Sequence, residues 1–234
     1  YYYKVKTLVQ KNKKSLNQFD LTGAYIQLSQ YCLKKISEGF TKFEKESFEI
    51  YKEELKEKTY RMNDGSMAPL FYKNVVKSGL ILKELDWVKN FIYEYKGELS
   101  KSFRDNYFHF CLALYEFQAG NFGFSMELNS KIKYDELYMK VNSKLLHMQL
   151  LYETNGHESL ISFLESFRHF LVNNKIIPAD RKSLFSNFQK YLSKIIIYGN
   201  NNDKTKAGLL YKDLLREKVV INKEWLLEKT ALIK

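Results

Sequence analysis

Residues 107–124 read YFHFCLALYEFQAGNFGF, and the fold turns on how this stretch is parsed. From Tyr107 to Ala119 the chain is almost all apolar and has no Gly or Pro, so it spells a helix that is apolar on most sides and therefore buried. Gly120 stops that helix, because a residue without Cβ takes the left-handed conformation at little cost. Asn121 then suits the first position of a second helix, where a short polar side chain satisfies free backbone amides. The unit is helix, tight turn, helix, and similar units flank it on both sides.

Taking the turn residues between paired helices as Gly39, Leu85, Gly120 and Gly156 gives spacings of 46, 35 and 36. A period near 35 implies stacked helix pairs, since one pair cannot bury its own apolar faces. Toward the N-terminus the spacing predicts helices over about residues 1–16, 20–39 (capped within Asp20-Leu21-Thr22), 41–58 and 68–83, the last with Pro69 in its first turn. RMNDGSM, residues 61–67, reads as the first clear break. Asp86 is expected to cap a short helix anchored by Trp87, Phe91 and Ile92, and a longer helix covers 100–119. Toward the C-terminus, Asp135 opens a helix over 136–154, another follows Gly156, and a third covers 179–198. GNNNDKTK reads as a flexible loop at 199–206, before two last helices, the final one holding Trp225 and Leu226.

Leu112-Ala113, Gly120-Asn121-Phe122, Ser125 and Ile132 together resemble the tetratricopeptide repeat, over residues 106–141 best and over 71–105 and 142–177 more loosely. His109 stands where that pattern has Trp, Glu116 where it has Tyr, and its closing Pro is absent. The resemblance implies an all-α, right-handed solenoid of about ten to twelve helices in one helical-repeat domain, residues 1–234, with a minor break at 61–68. It also implies a partner-binding groove lined by the first helix of each pair. Carried over, the groove positions are Tyr72, Val75 and Leu82, then Tyr107, Phe110, Leu114 and Phe117, then Ser143, Leu146, Leu150 and Glu153. Tyr72, Val75, Tyr107, Phe110, Leu114, Phe117 and Leu146 are the partner-binding residues this reading selects.

Bulk composition agrees with a large helical core: 234 residues, 45% apolar and 16% aromatic, with only two prolines. Tyr1 already lies in an apolar-periodic segment, which reads as the start of a C-terminal piece of a longer chain. No leader pattern or membrane-spanning run is visible, and Cys32 and Cys111, each on an apolar helical face, read as buried free thiols of a cytoplasmic protein. The net charge of +11 sits at the ends: residues 1–60 carry 12 basic and 8 acidic side chains, residues 181–234 carry 12 and 5, and the middle is balanced. Of 38 basic residues 33 are Lys, and specific phosphate contacts lean on the planar Arg fork, so solvated Lys faces are expected rather than a nucleic-acid surface.

Catalytic patterns are missing from the sequence. His109, His147, His157 and His169 have no metal-ligand spacing, the glycines are isolated helix stops, and neither cysteine has a nucleophile's neighbours. His109 and Glu116, seven apart on one helix face, could form an acid–imidazole pair. The sequence therefore leads to a non-enzymatic scaffold without cofactor, holding a protein or peptide partner or a second copy in an apolar groove. The alternative is a regulatory or nucleic-acid-associated module whose Lys-rich ends meet a polyanion.

Overall fold

In the computed structural model, residues 1–233 are described, and they form an all-α protein. The helices are α1 (Tyr2–Asn12), α2 (Gln18–Ser37), α3 (Lys42–Glu57), α4 (Pro69–Ile81), α5 (Leu85–Glu94), α6 (Lys101–Gln118), α7 (Phe122–Ser130), α8 (Leu137–Glu153), α9 (His157–Asn173), α10 (Ala179–Asn200), α11 (Lys204–Arg216) and α12 (Lys223–Ile233). Bridges from Met67 to Arg61 and to Leu99 are the only strand-like pairings among the described residues, and they pin the 61–68 loop down with Met67 fully buried.

The contacts fall into two compact units, Tyr1–Ser143 and Lys144 onward, with the boundary inside α8. In the first unit α1 packs on α2, α2 on α3, α3 on α4, and α4 on both α5 and α6; α6 packs in turn on α5 and α7. In the second, α10 packs on α9, α11 and α12, and α11 packs on α12.

One device ends α2, α3, α4, α6, α8 and α10. A residue with positive φ follows each helix (Gly39, Lys58, Lys83, Gly120, Asn155, Asn202). Its amide bonds back three residues, and the next amide bonds back five, as in Gly120 to Phe117 and Asn121 to Glu116. Two expected turn residues shift accordingly: Lys83, not Leu85, carries the reversal, and Asn155, not Gly156. Leu85 opens α5, so Asp86 lies in that helix's first turn rather than at its cap. Asn17, not Asp20, caps α2, its side chain accepting the Asp20 amide at 2.9 Å. Within the 199–206 segment only residues 201–203 lie outside helices, forming a tight turn with Asp203 accepting the Lys206 amide at 3.0 Å.

Buried polar side chains fix the packing. Ser125 of α7 donates to the Ala113 carbonyl of α6 at 2.6 Å, which lets these helices approach closely. Asn106 donates to the Lys133 carbonyl and accepts its amide, holding the connection into α8. Each such bond contributes about 1 kcal/mol net, and more would be lost by leaving its partner unsatisfied. Gly79 in α4 meets α5 so closely that a Cβ there would overlap Val88 Cγ2. In the second unit Glu153 of α8 accepts both the Trp225 indole at 2.7 Å and the Lys229 ammonium at 2.8 Å, fastening α12.

Candidate interaction site

The seven selected residues lie on α4, α6 and α8. Five of them are core: Tyr72, Val75, Tyr107, Phe110 and Leu146 are buried. Tyr72 donates to the Ile92 carbonyl at 2.6 Å, and Tyr107 to Glu136 at 3.2 Å. Leu114 and Phe117 keep part of their surface, although Phe117 packs on Phe122. Leu146 belongs to the second unit and the other six to the first. Sequence spacing places these residues on apolar helical faces, and most of those faces are buried.

The same α4–α6 contact holds two residues that sequence reasoning passed over. Lys73 and Lys77 are one turn apart on α4 and flank the buried Cys111 of α6. Partial burial lowers the Lys73 ammonium, with Cys111 and Glu136 opposing, whereas Lys77 keeps an exposed surface. Burial likewise pushes the Cys111 thiol well up, tempered by the two lysines, which leaves it unreactive. Their signal in the sequence is plain in hindsight: they are the only charged residues of α4.

His109 and Glu116 do not pair with each other. Glu116 accepts from the Asn121 side chain at 2.6 Å, and His109 Nδ1 is buried without a partner, with burial lowering its pKa. Among the described residues no group of three His, Cys, Asp or Glu could hold a metal ion, and no helix is long and apolar enough to cross a membrane.

An accessible aromatic surface lies elsewhere, along α5. Between α3 and α5 is an open cleft of about 500 Å³ lined by Lys52, Leu55, Trp87, Phe91, Glu94 and Tyr95, together with Lys56 and Asn90. Phe91 is its buried floor, while Trp87 and Tyr95, each stacked on Phe91 at centroid distances of 5.4 and 4.9 Å, remain half-exposed walls. Their spacing is helical: residues 87, 91 and 95 succeed one another at one turn. The floor is held by a chain of rings, with Phe48 against Trp87, Tyr72 against Phe91 and Tyr60 against Tyr95. Lys52 stands 4.4 Å from the Phe48 ring centre and 5.6 Å from that of Trp87, close enough for cation–π attraction, while Lys56 and Glu94 are exposed at the rim. Sequence reasoning took Trp87 as an inward anchor; only half of that holds.

No protein-family model matches the chain, and neither a curated protein nor a solved structure shows significant similarity to it.

Proposed function

We propose that the chain is a tetratricopeptide-like array of stacked helix pairs, and that it is a non-enzymatic scaffold holding a peptide segment of a partner protein in the α3/α5 cleft. The recurrent turn device supports the repeat: positive-φ residues end α2, α4, α6 and α8 at positions 39, 83, 120 and 155, 44, 37 and 35 residues apart. One observation carries the function. An aromatic wall stands half open between two helix pairs in a rim of charges, on rigid elements, with a volume in the range of small recognition pockets. Such a cleft takes an apolar or aromatic anchor side chain, and the exposed rim residue Lys56 favours an acidic residue beside that anchor, Lys52 being already paired with Glu49 at 3.2 Å.

The test is selection from a displayed library of random twelve-residue peptides, followed by affinity measurement of synthetic winners. Enriched peptides should share an aromatic or aliphatic anchor next to Asp or Glu. They should lose at least about tenfold in affinity against Trp87→Ala, in keeping with truncation of a central interface aromatic. Winners that bind Trp87→Ala as well as wild type would overturn the assignment of the cleft.

The polyanion reading draws on one observation, the Lys73–Lys77 pair, neither member of which has an ion-pair partner among the described residues. Against it, several of the terminal lysines are already paired, Lys6 with Glu46, Lys13 with Glu53 and Glu57, and Lys229 with Glu153. Salt-sensitive retention on heparin that disappears in a Lys73→Ala/Lys77→Ala variant would favour it over peptide capture.

A further inference from the structure

The outward face of α2 is unlike any surface a Lys-rich chain should present. Phe19, Gly23, Ile26, Gln30, Leu33 and Ser37 recur at alternating steps of four and three residues, so they form one straight stripe along the helix. Phe19 is 86% exposed, Ile26 43% and Leu33 46%, and Gly23, Gln30 and Ser37 are exposed as well. The stripe contains no charge, although 28% of the chain is Asp, Glu, Lys or Arg. Depletion of charge across an accessible apolar strip is the compositional mark of an interface core. Nothing within 4 Å would touch a Cβ added at Gly23, so the stripe has a vacant notch.

We infer that this stripe is a homodimer interface, in which α2 pairs antiparallel with α2 of a second copy about a two-fold axis near Leu28. The order of side chains selects that partner. Turned end for end about residue 28, the stripe sets Phe19 over Ser37 of the other copy, Leu33 over Gly23, and Ile26 over Gln30. Each large group therefore meets a smaller or more pliable one, and the two helices overlap over their whole length. An isologous contact needs this kind of self-complementarity.

The flanking charges fit the same register. Asp20 and Lys34 lie on one side of the stripe, and a two-fold operation keeps both on that side. In the antiparallel register Asp20 comes level with residue 36 of the other copy, two residues, or about 3 Å of helix rise, from Lys34. Two symmetric Asp20–Lys34 pairs result, within reach of the long Lys stem. Lys34 has no ion-pair partner among the described residues, so its ammonium is free to make this contact. A parallel pairing would instead send Asp20 and Lys34 of the second copy to the opposite side of the seam, where neither Asp20–Lys34 pair can form. The helix dipoles, opposed in the antiparallel arrangement, favour the same choice.

Sedimentation of the full chain from dilute solution up to about 0.5 mM, where even weak pairs form, tests this directly. The expected species at high concentration has twice the 27.9 kDa chain mass. Leu33→Asp, at an exposed position, should be monomeric throughout with an unchanged helical circular dichroism spectrum. Asp20→Lys alone and Lys34→Asp alone should each weaken the dimer at least tenfold. An equimolar mixture of those two variants should restore it, because one copy then offers two cations and the other two anions. A wild type that stays monomeric overturns the inference. So does a dimer indifferent to Leu33→Asp, which would place the interface elsewhere, and so does a mixture that fails to recover, which would exclude the antiparallel register.

Discussion

α2 and α3 pack side by side on one core, yet three of the 20 residues of α2 are charged against ten of the 16 of α3. Their charges do different work. Glu46 of α3 accepts from Lys6 at 2.6 Å, and Glu53 and Glu57 accept from Lys13, so the carboxylates of α3 bind α1 across the top of α2. Lys52 lies over aromatic rings at the cleft, and Glu54 is buried against α2, where Ser29 donates to it at 3.3 Å. By composition alone α3 is a solvated surface and α2 a core helix. In the fold, α3 is the one fastened on several sides, and α2 shows the face with nothing on it. Much of the charge on α3 is engaged within the chain, and the uncharged stripe on α2 is the face for which we infer a second copy.

The widest gap between the two helices should appear on truncating one aromatic in each. Phe48 of α3 is buried against Trp87, and Phe48→Ala should cost about 3–5 kcal/mol in urea unfolding, from lost burial and the cavity left behind. Phe19→Ala, on the open face of α2, should change monomer stability by less than about 0.5 kcal/mol, as exposed positions do. A cost at Phe19 comparable to that at Phe48 would mean the α2 face is covered within the chain, and the contrast would collapse.

A smaller effect, with a pH signature, sits where the helices touch. Burial raises the Glu54 carboxyl from its ordinary 4.5 to about 7, with the Ser29 hydroxyl only partly offsetting this. Between these values the folded chain holds a proton that the unfolded chain has released, so stability falls as pH rises from 4.5 and levels off above 7. At about 1.4 kcal/mol per pH unit the loss approaches 3 kcal/mol. Glu54→Gln keeps the shape and a partner for Ser29 but cannot ionise. It should match wild type near pH 4 and exceed it by up to about 3 kcal/mol at pH 8. Parallel denaturation curves at the two pH values decide the matter; equal stabilities at pH 8 would show that water reaches the carboxylate.

Much of this was legible in the sequence, and the failures have physical causes. Apolar spacing places every helix, and Gly39, Gly120 and Pro69 act where their backbone chemistry says they should. Lys83 was invisible as a turn residue, because a left-handed Lys costs only about 1–2 kcal/mol and needs no special side chain. Asn17 was missed as a cap because Asp20, three residues on, has the same chemistry. The groove positions meet a different limit: Tyr107 and Phe110 are buried, while Leu114 and Phe117 keep part of their surface. Periodicity shows which face of α6 is apolar but not how many neighbours share it, and α4, α5 and α7 all pack on this helix. The α3/α5 cleft joins Lys52 to Trp87 across 35 residues of sequence, and no local pattern encodes it.

The finest test of the comparison is electrostatic. Lys13 lies 2.6 Å from Glu57 and 3.1 Å from Glu53, with all three side chains about a quarter exposed. Hydrogen bonds to Glu57 and then Glu53 raise the Lys13 ammonium above the ordinary lysine range. A raised base stabilises the fold at every pH below its unfolded value and ceases to do so only in strong alkali, so no change is expected between pH 6 and 9. Salt is the better probe. Lys13→Ala should cost about 0.5–1 kcal/mol at low ionic strength, the usual worth of a partly exposed pair or small network. That cost should shrink toward the lost packing of the stem near 1 M salt, where screening reaches within about 3 Å. Lys13→Met, which retains most of the stem, separates the two contributions. Lys34→Ala on α2, tested in dilute protein, should cost nothing at either salt concentration. Amide exchange along α1 gives the local readout: residues 2–12 should open more readily in Lys13→Met at low salt and no differently from wild type at high salt. If Lys34→Ala destabilises the monomer as much as Lys13→Ala does, the charges of α2 are also engaged within the chain, and its outward face is not open.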